Sequence, residues 1–214
     1  MVYYPLIGTL LGSLLVLINY VSQLDLPKLV SSSLLLIALV ILTGGIHLDG
    51  LMDTCDGVFS GCKREKILDI MRDSCVGAFG VLGVVLLLLL KFSLLVELFS
   101  INNNFVLLYF PTLSRWAMVY SAFYYPYGRD EGLGKTYAQH LTRPHFLLAT
   151  SWTLILGITL FKLQGLFIFF GSWLFTMIIA KIIMAKIDGL TGDSYGAINE
   201  LVEVVVLFLM IIIF

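Results

Sequence analysis

Three aspartates in the stretch HLDGLMDTCDG, Asp49, Asp53 and Asp56, are spaced four and three residues apart. On a helix that spacing brings them within about 60° of one another, so three carboxylates line one stripe. Carboxylates held this close repel one another unless a cation lies among them. Mg²⁺ takes hard oxygen ligands and commonly bridges carboxylates to substrate phosphates, which makes these three the candidate metal ligands. A solvated acidic loop is the plainer reading of the same string. Gly50 and Gly57 directly follow two of the aspartates and leave room for a bulky phosphorylated ligand. On a continuous helix His47 would face away from the stripe; it can cap the preceding helix, bond to phosphate, or pack as a neutral ring.

Three further polar segments carry candidates. In KREKILDIMRDS (63–74), Glu65, Asp69 and Arg72 share one helical face while Ile67, Ile70 and Met71 share the other, the pattern of an amphipathic helix at a membrane surface. Arg72 and Asp73 are its candidate site residues, because they open RDSCVGAFG, where Gly77 and Gly80 allow the next helix to pack closely. The basic residues of this segment serve equally well as phosphate contacts or as contacts to anionic lipid. GRDEGLG (128–134) reads as a flexible loop whose backbone N–H groups and Arg129 can hold phosphate, or as an ordinary turn; it lacks the G-x-x-x-x-G-K-[ST] of a P-loop. In KIDGLTGDSYGAINELVE (186–203), Asp193 is placed to cap a helix along which Glu200 and Glu203 continue. Glu203 is too costly to face lipid and should point inward at something positive or metallic. Arg115 is the one strong charge expected at mid-membrane depth, and pairing with a buried carboxylate is its plainer reading.

The elements that must position these residues are membrane helices. Of 214 residues, 59% are hydrophobic and 13% charged, with mean hydropathy +1.00; a soluble domain carries about 25% charged residues. A helix crosses a bilayer in about 20 residues. Seven segments qualify, at 5–22, 29–46, 76–96, 104–124, 146–162, 166–185 and 196–214, the fifth short enough to be tilted or re-entrant. The fold class is therefore an all-α polytopic bundle of about seven transmembrane segments with a short amphipathic helix on the cytoplasmic side. The connections at 47–75, 125–145 and 186–195 hold Lys63, Arg64, Lys66, Arg72, Arg129, Lys135, Arg143 and Lys186, against Lys28 and Lys162 for the others. Positive charge stays inside, so these connections are expected in the cytoplasm. A net charge of -1 offers no field for nucleic acid. Cys55, Cys62 and Cys75 match neither a disulfide framework nor a zinc pattern and are expected as thiols. The first apolar stretch lacks the flanks of a cleaved signal peptide.

Six of the 14 acidic residues fall between Asp49 and Asp73, which acidic side chains do not do for topological reasons. With those residues in view, the chain resembles the cobalamin synthase family, the adenosylcobinamide-GDP ribazoletransferases. GGIHLDGLMDTCDGVFSG (44–61), REKILDIMRDSCVGAFGVLG (64–83), RDEGLG (129–134) and GLTGDSYGAINELVE (189–203) carry the resemblance, and YYPLIGTLLG (3–12) is similar to the family's early membrane segment. It covers the chain as a single domain, 1–214. It implies a Mg²⁺-dependent, multi-pass cell-membrane enzyme that joins adenosylcobinamide-GDP to alpha-ribazole, or its 5'-phosphate, and releases GMP. Asp49, Asp53 and Asp56 match the family's acidic motif, Arg72 and Asp73 its R-D-S segment, and Asp193, Glu200 and Glu203 its later acidic motif; the individual roles are assigned from chemistry, with Asp49, Asp53 and Asp56 expected to hold the metal. Asp73, Asp193 and Arg72 take catalytic roles, while His47, Gly57, Arg129, Glu200 and Glu203 line the substrate. Relatives carry an additional N-terminal stretch, a glycine where Asp188 stands, and a small residue where Met52 stands. A CDP-alcohol phosphotransferase would use similar aspartates but wants D-G-x-x-A-R, and Asp49-Gly50 is followed instead by Leu51, Met52, Asp53 and Thr54. A transporter would place polar groups and broken helices at the midplane. The oligomeric state is open at this stage.

Overall fold

The computed structural model describes residues 1–22, 26–101, 103–129 and 131–214. Among these the chain is helical: α1 (Tyr4–Ser22), α2 (Lys28–Thr43), α3 (Ile46–Phe59), α4 (Arg64–Ile70), α5 (Ala78–Ile101), α6 (Phe105–Tyr124), α7 (Leu133–Gln139), α8 (Arg143–Ile187) and α9 (Gly192–Ile213). The expected all-α membrane bundle is present. By length and apolarity α1, α5, α8 and α9 are each able to cross a bilayer, and α2 with α3 form a fifth if counted as one bent pair. That is four to five long apolar helices rather than seven separate ones.

Helix α6 is the axis. Nearly every residue from Val106 to Ala122 is buried, against α1, α8 and α9. Aromatic rings cluster along its C-terminal half, with Trp116 4.4 Å from Phe169 and 5.6 Å from Tyr120. Thr9 of α1 meets Thr112 of α6 through their hydroxyls at 3.0 Å, a polar contact between two helices that otherwise touch through apolar surface. The outer faces are what lipid would cover: Leu82, Leu86 and Leu89 on α5 are all at least half exposed.

Two breaks depart from the expected segments. Gly44 and Gly45 both take left-handed φ, 63° and 69°, and their N–H groups cap the carbonyls of Ile41 and Val40. The helix expected to reach residue 46 therefore stops at Thr43, and α3 leaves at 87° to α2. Running nearly across the direction of α2, α3 packs against α5 and α9. The expected segments 146–162 and 166–185 are the two arms of α8, which breaks at Lys162 (φ 53°, ψ -131°). Gly157 and Gly165 would stand about 12 Å apart on a continuous helix, yet their backbones touch, so the chain doubles back there. The amphipathic segment 63–74 yields only the short α4, whose Ile67 and Leu68 are buried along with Met71. Helix α7 forms within what was expected as a connection. All three cysteines are free thiols, as expected.

Candidate functional site

Helix α3 carries Asp49, Asp53 and Asp56 over the entry to α9, and the close packing has a specific cause. A Cβ on Gly50 would lie 2.7 Å from the Asp193 carbonyl oxygen, so only glycine lets α3 rest on the first turn of α9. Gly57 has a different function from the one expected of it: a side chain there would meet Met71 at 2.5 Å and Ile67 at 3.1 Å. It admits α4 to the bundle rather than a phosphorylated ligand.

The three aspartates divide. Asp56 accepts hydrogen bonds from the Gly77 and Gly80 N–H groups at 2.7 and 2.8 Å, satisfying donors at the start of α5. Asp49 and Asp53 face Asp193 instead. Burial, then the charges of Asp193 and Asp49, push the Asp53 carboxyl up to about 7. Three carboxylates brought together from α3 and α9, with one of them forced toward its neutral form, is the electrostatic signature of a site short of positive charge. Among the described residues no group of three His, Cys, Asp or Glu side chains is preassembled as a metal-ligand set.

Arg129 supplies part of that charge. Its Nη1 lies 2.8 Å from Asp193 Oδ2, while Nε and Nη2 are buried without a hydrogen-bond partner among the described residues. Two buried guanidinium donors facing no acceptor suit an anionic ligand. The loop that carries Arg129 is tied to the turn before α9: Gly128 N–H donates to Leu190 O at 2.8 Å and Leu190 N–H to Pro126 O at 2.9 Å. Arg64 clasps both strands of this contact, donating to Ile187 O and Gly128 O and pairing with Asp188 at 3.4 Å. Asp188 holds a left-handed φ of 54°, a conformation that favours glycine. Asp193 is not the helix cap expected of it; Thr191 is, accepting from Ser194 N–H, and Asp193 sits in the first turn of α9.

The other expected residues lie apart. Arg72 and Asp73 are exposed on the turn between α4 and α5, and Asp73 accepts from the Cys75 N–H at 3.0 Å, a bond that lowers its pKa. His47 stays near the cluster; burial and the Arg115 guanidinium push its pKa down to about 4, so it is a neutral ring. Glu200 and Glu203 are committed elsewhere. Lys91 Nζ lies 2.5 Å from Glu200 Oε2 and 2.8 Å from Glu203 Oε2, and Arg115 pairs with Glu203 from the other side. All four are buried. These carboxylates are neutralised by internal cations inside the bundle. Arg115 is not the one charge at depth: Lys91 went unnoticed, although a lone lysine in VVLLLLLKFSLL is the same signal. Arg64 as a clasp was also missed, having been grouped with the basic residues of the surface.

Comparison with known proteins places the whole chain in a family. The sequence profile described as cobalamin-5-phosphate synthase matches residues 1–211. An adenosylcobinamide-GDP ribazoletransferase of Desulfitobacterium hafniense is 41% identical over 210 residues, covering 96% of this chain and 83% of that protein. One from Desulforamulus reducens is 39% identical over 214 residues, 98% of this chain and 84% of that protein. One from Clostridioides difficile is 32% identical over 228 residues, 100% of this chain and 88% of that protein. No solved structure matches. With a match along nearly its whole length and relatives above 30% identity, this chain belongs to the cobalamin-5-phosphate synthase family.

Proposed function

We propose that the chain carries out its family's transfer at the α3–α9 junction: a ribose hydroxyl of alpha-ribazole, or of its 5'-phosphate, takes the cobinamide-bearing phosphorus of adenosylcobinamide-GDP, and GMP leaves. The observation that carries this reading is the meeting of Asp49 and Asp53 with the Asp193–Arg129 pair, side chains brought together from three separate parts of the sequence. One bond forms, from the acceptor oxygen to phosphorus, and one breaks, from that phosphorus to the oxygen that departs with GMP. Arg129 has donors to spare for the pyrophosphate oxygens, in a buried setting where a charge-assisted hydrogen bond counts most. Asp193, fixed by Arg129, is the carboxylate placed to accept the hydroxyl proton. Asp49 and Asp53 are the residues that would hold Mg²⁺, with Asp56 beside them; the hard oxygen donors and the raised Asp53 fit a cation. When bound, Mg²⁺ supplies positive charge to the pyrophosphate and the leaving GMP.

The test is GMP release from adenosylcobinamide-GDP by the purified protein. Release is expected only with alpha-ribazole, or its phosphate, and Mg²⁺ together. Release without the nucleoside would instead make the protein a hydrolase, and none under any condition would end the reading.

Two finer features belong to the same proposal. Counting both arms of α8 and adding α2 and α6 gives seven crossings, supported by the reversal at Lys162. The basic residues gather beside the site, which supports a cytoplasmic position for it. In a cysteine-free background, a cysteine at Gly61 is expected to react with an impermeant thiol reagent only in inside-out vesicles. Labelling from the outside of intact cells would reverse the orientation.

A further inference from the structure

A cavity of about 500 Å³ opens beside the carboxylates, between α1, α2, α6 and α9. One end is polar, bordered by His47, Arg115 and Asp193; the other is apolar, bordered by Ile7, Leu11, Leu42 and Met118. Two of its lining residues carry buried polar atoms, His47 Nδ1 and the Tyr195 hydroxyl, that have no hydrogen-bond partner among the described residues. Buried polar atoms are rarely left unpaired unless a ligand or water completes them. Size then narrows the occupant. Clefts of roughly 300–1,000 Å³ take one drug-sized molecule, which describes a nucleoside but excludes a corrin macrocycle with its side chains and attached nucleotide. Arg115 at the polar end is already paired with Glu203, and the apolar walls suit a flat, partly apolar group.

We propose that this cavity holds the acceptor nucleoside, its apolar walls taking the aromatic base and its polar end presenting a ribose hydroxyl to Asp193. This rests on the transfer reaction proposed above. The donor's corrin then stays outside the cavity, and the two substrates approach the α3 carboxylates from different sides. The mouth is bordered by Leu42 and Ile46, both exposed on the α2–α3 side of the bundle, so bulk can be added there with little disturbance of the core.

The experiment compares wild type with Leu42→Trp and Ile46→Trp in nanodiscs, with Leu86→Trp on the exposed face of α5 as the tryptophan control. Binding of radiolabelled alpha-ribazole and of adenosylcobinamide-GDP is measured separately, alongside GMP release. The two mouth variants are expected to weaken alpha-ribazole binding at least tenfold and raise its KM to match, while donor affinity stays within twofold and Leu86→Trp resembles wild type. Loss of donor affinity would give the cavity to the donor and overturn the proposal. Unchanged binding of both substrates with less phospholipid retained per protein would make it a lipid crevice, also overturning it. Wild-type turnover alongside either result leaves the transfer reaction standing; wild type that binds both substrates yet releases no GMP defeats the reaction while the cavity assignment survives on binding alone.

Discussion

Asp53→Asn is expected to lower GMP release at saturating substrates by at least a hundredfold, in line with the loss of one strong electrostatic contact to a transferring phosphoryl group. The substitution keeps shape and removes one charge, and Asp53 is half-buried rather than in the core, so folded protein should be recovered in normal yield. A second readout separates a metal ligand from a general polar residue. The Asp53 carboxyl, ordinarily at 3.8, is raised to about 7 by burial and by Asp193 and Asp49. A raised pKa means that the folded state holds the proton more tightly than the unfolded one. The stability it contributes is full below pH 4 and is lost as pH rises through about 7. Without divalent cation, thermal stability is expected to fall across that window; Mg²⁺, which favours the charged form, should flatten the slope, and Asp53→Asn should remove it. An Asp53→Asn protein with near-normal turnover, or one whose pH slope still responds to Mg²⁺ as wild type does, would take Asp53 out of the metal site.

Lys91→Met should have the largest effect on stability. It leaves Glu200 and Glu203 in the bundle interior with Arg115 alone, and breaking a buried ion pair from one side costs about 3–5 kcal/mol. At roughly 2–4 °C per kcal/mol for a chain of this size, the melting temperature should drop by about 6–20 °C. The double variant Lys91→Met, Glu200→Gln removes charge of both signs and should recover most of the loss, because the penalty lies in the uncompensated charge rather than in the missing contact. A single variant as stable as wild type would mean that water or lipid headgroups reach this cluster.

How much of this was legible before the fold was known follows from how far apart the partners are in sequence. Asp49 and Asp53 declare themselves through helical spacing, whereas the left-handed Gly44–Gly45 turn lay hidden inside an apolar segment expected to run on to residue 46. Asp56 shares the same spacing, yet α5, starting more than twenty residues later, claims it for its own unpaired N–H groups. No local pattern shows which carboxylate another element will take. Glu203 could be read as needing a cation, but not as needing Lys91, 112 residues away. Lys91 itself vanishes in a hydropathy average because its neighbours are so apolar. The reversal in α8 happens at a lysine, with neither glycine nor proline at the break. The sequence shows there only a short polar interruption, which marked the two arms but not their union at a single residue.

The buried charge cluster also sets an order of events during synthesis. Lys91 and Arg115 emerge on α5 and α6, while both carboxylates that neutralise them arrive on α9, 88 to 112 residues later. At about 5–20 residues per second, the two cations wait on the order of 5–20 s for their partners. During that interval an unpaired lysine or arginine in hydrocarbon costs about 2.5–3.5 kcal/mol or more, which favours keeping both charged ends near water. The arrival of α9 then closes the polar centre and, in the same step, delivers Asp193 beneath α3. A chain lacking α9 would hold Lys91 and Arg115 without the carboxylates that pair with them.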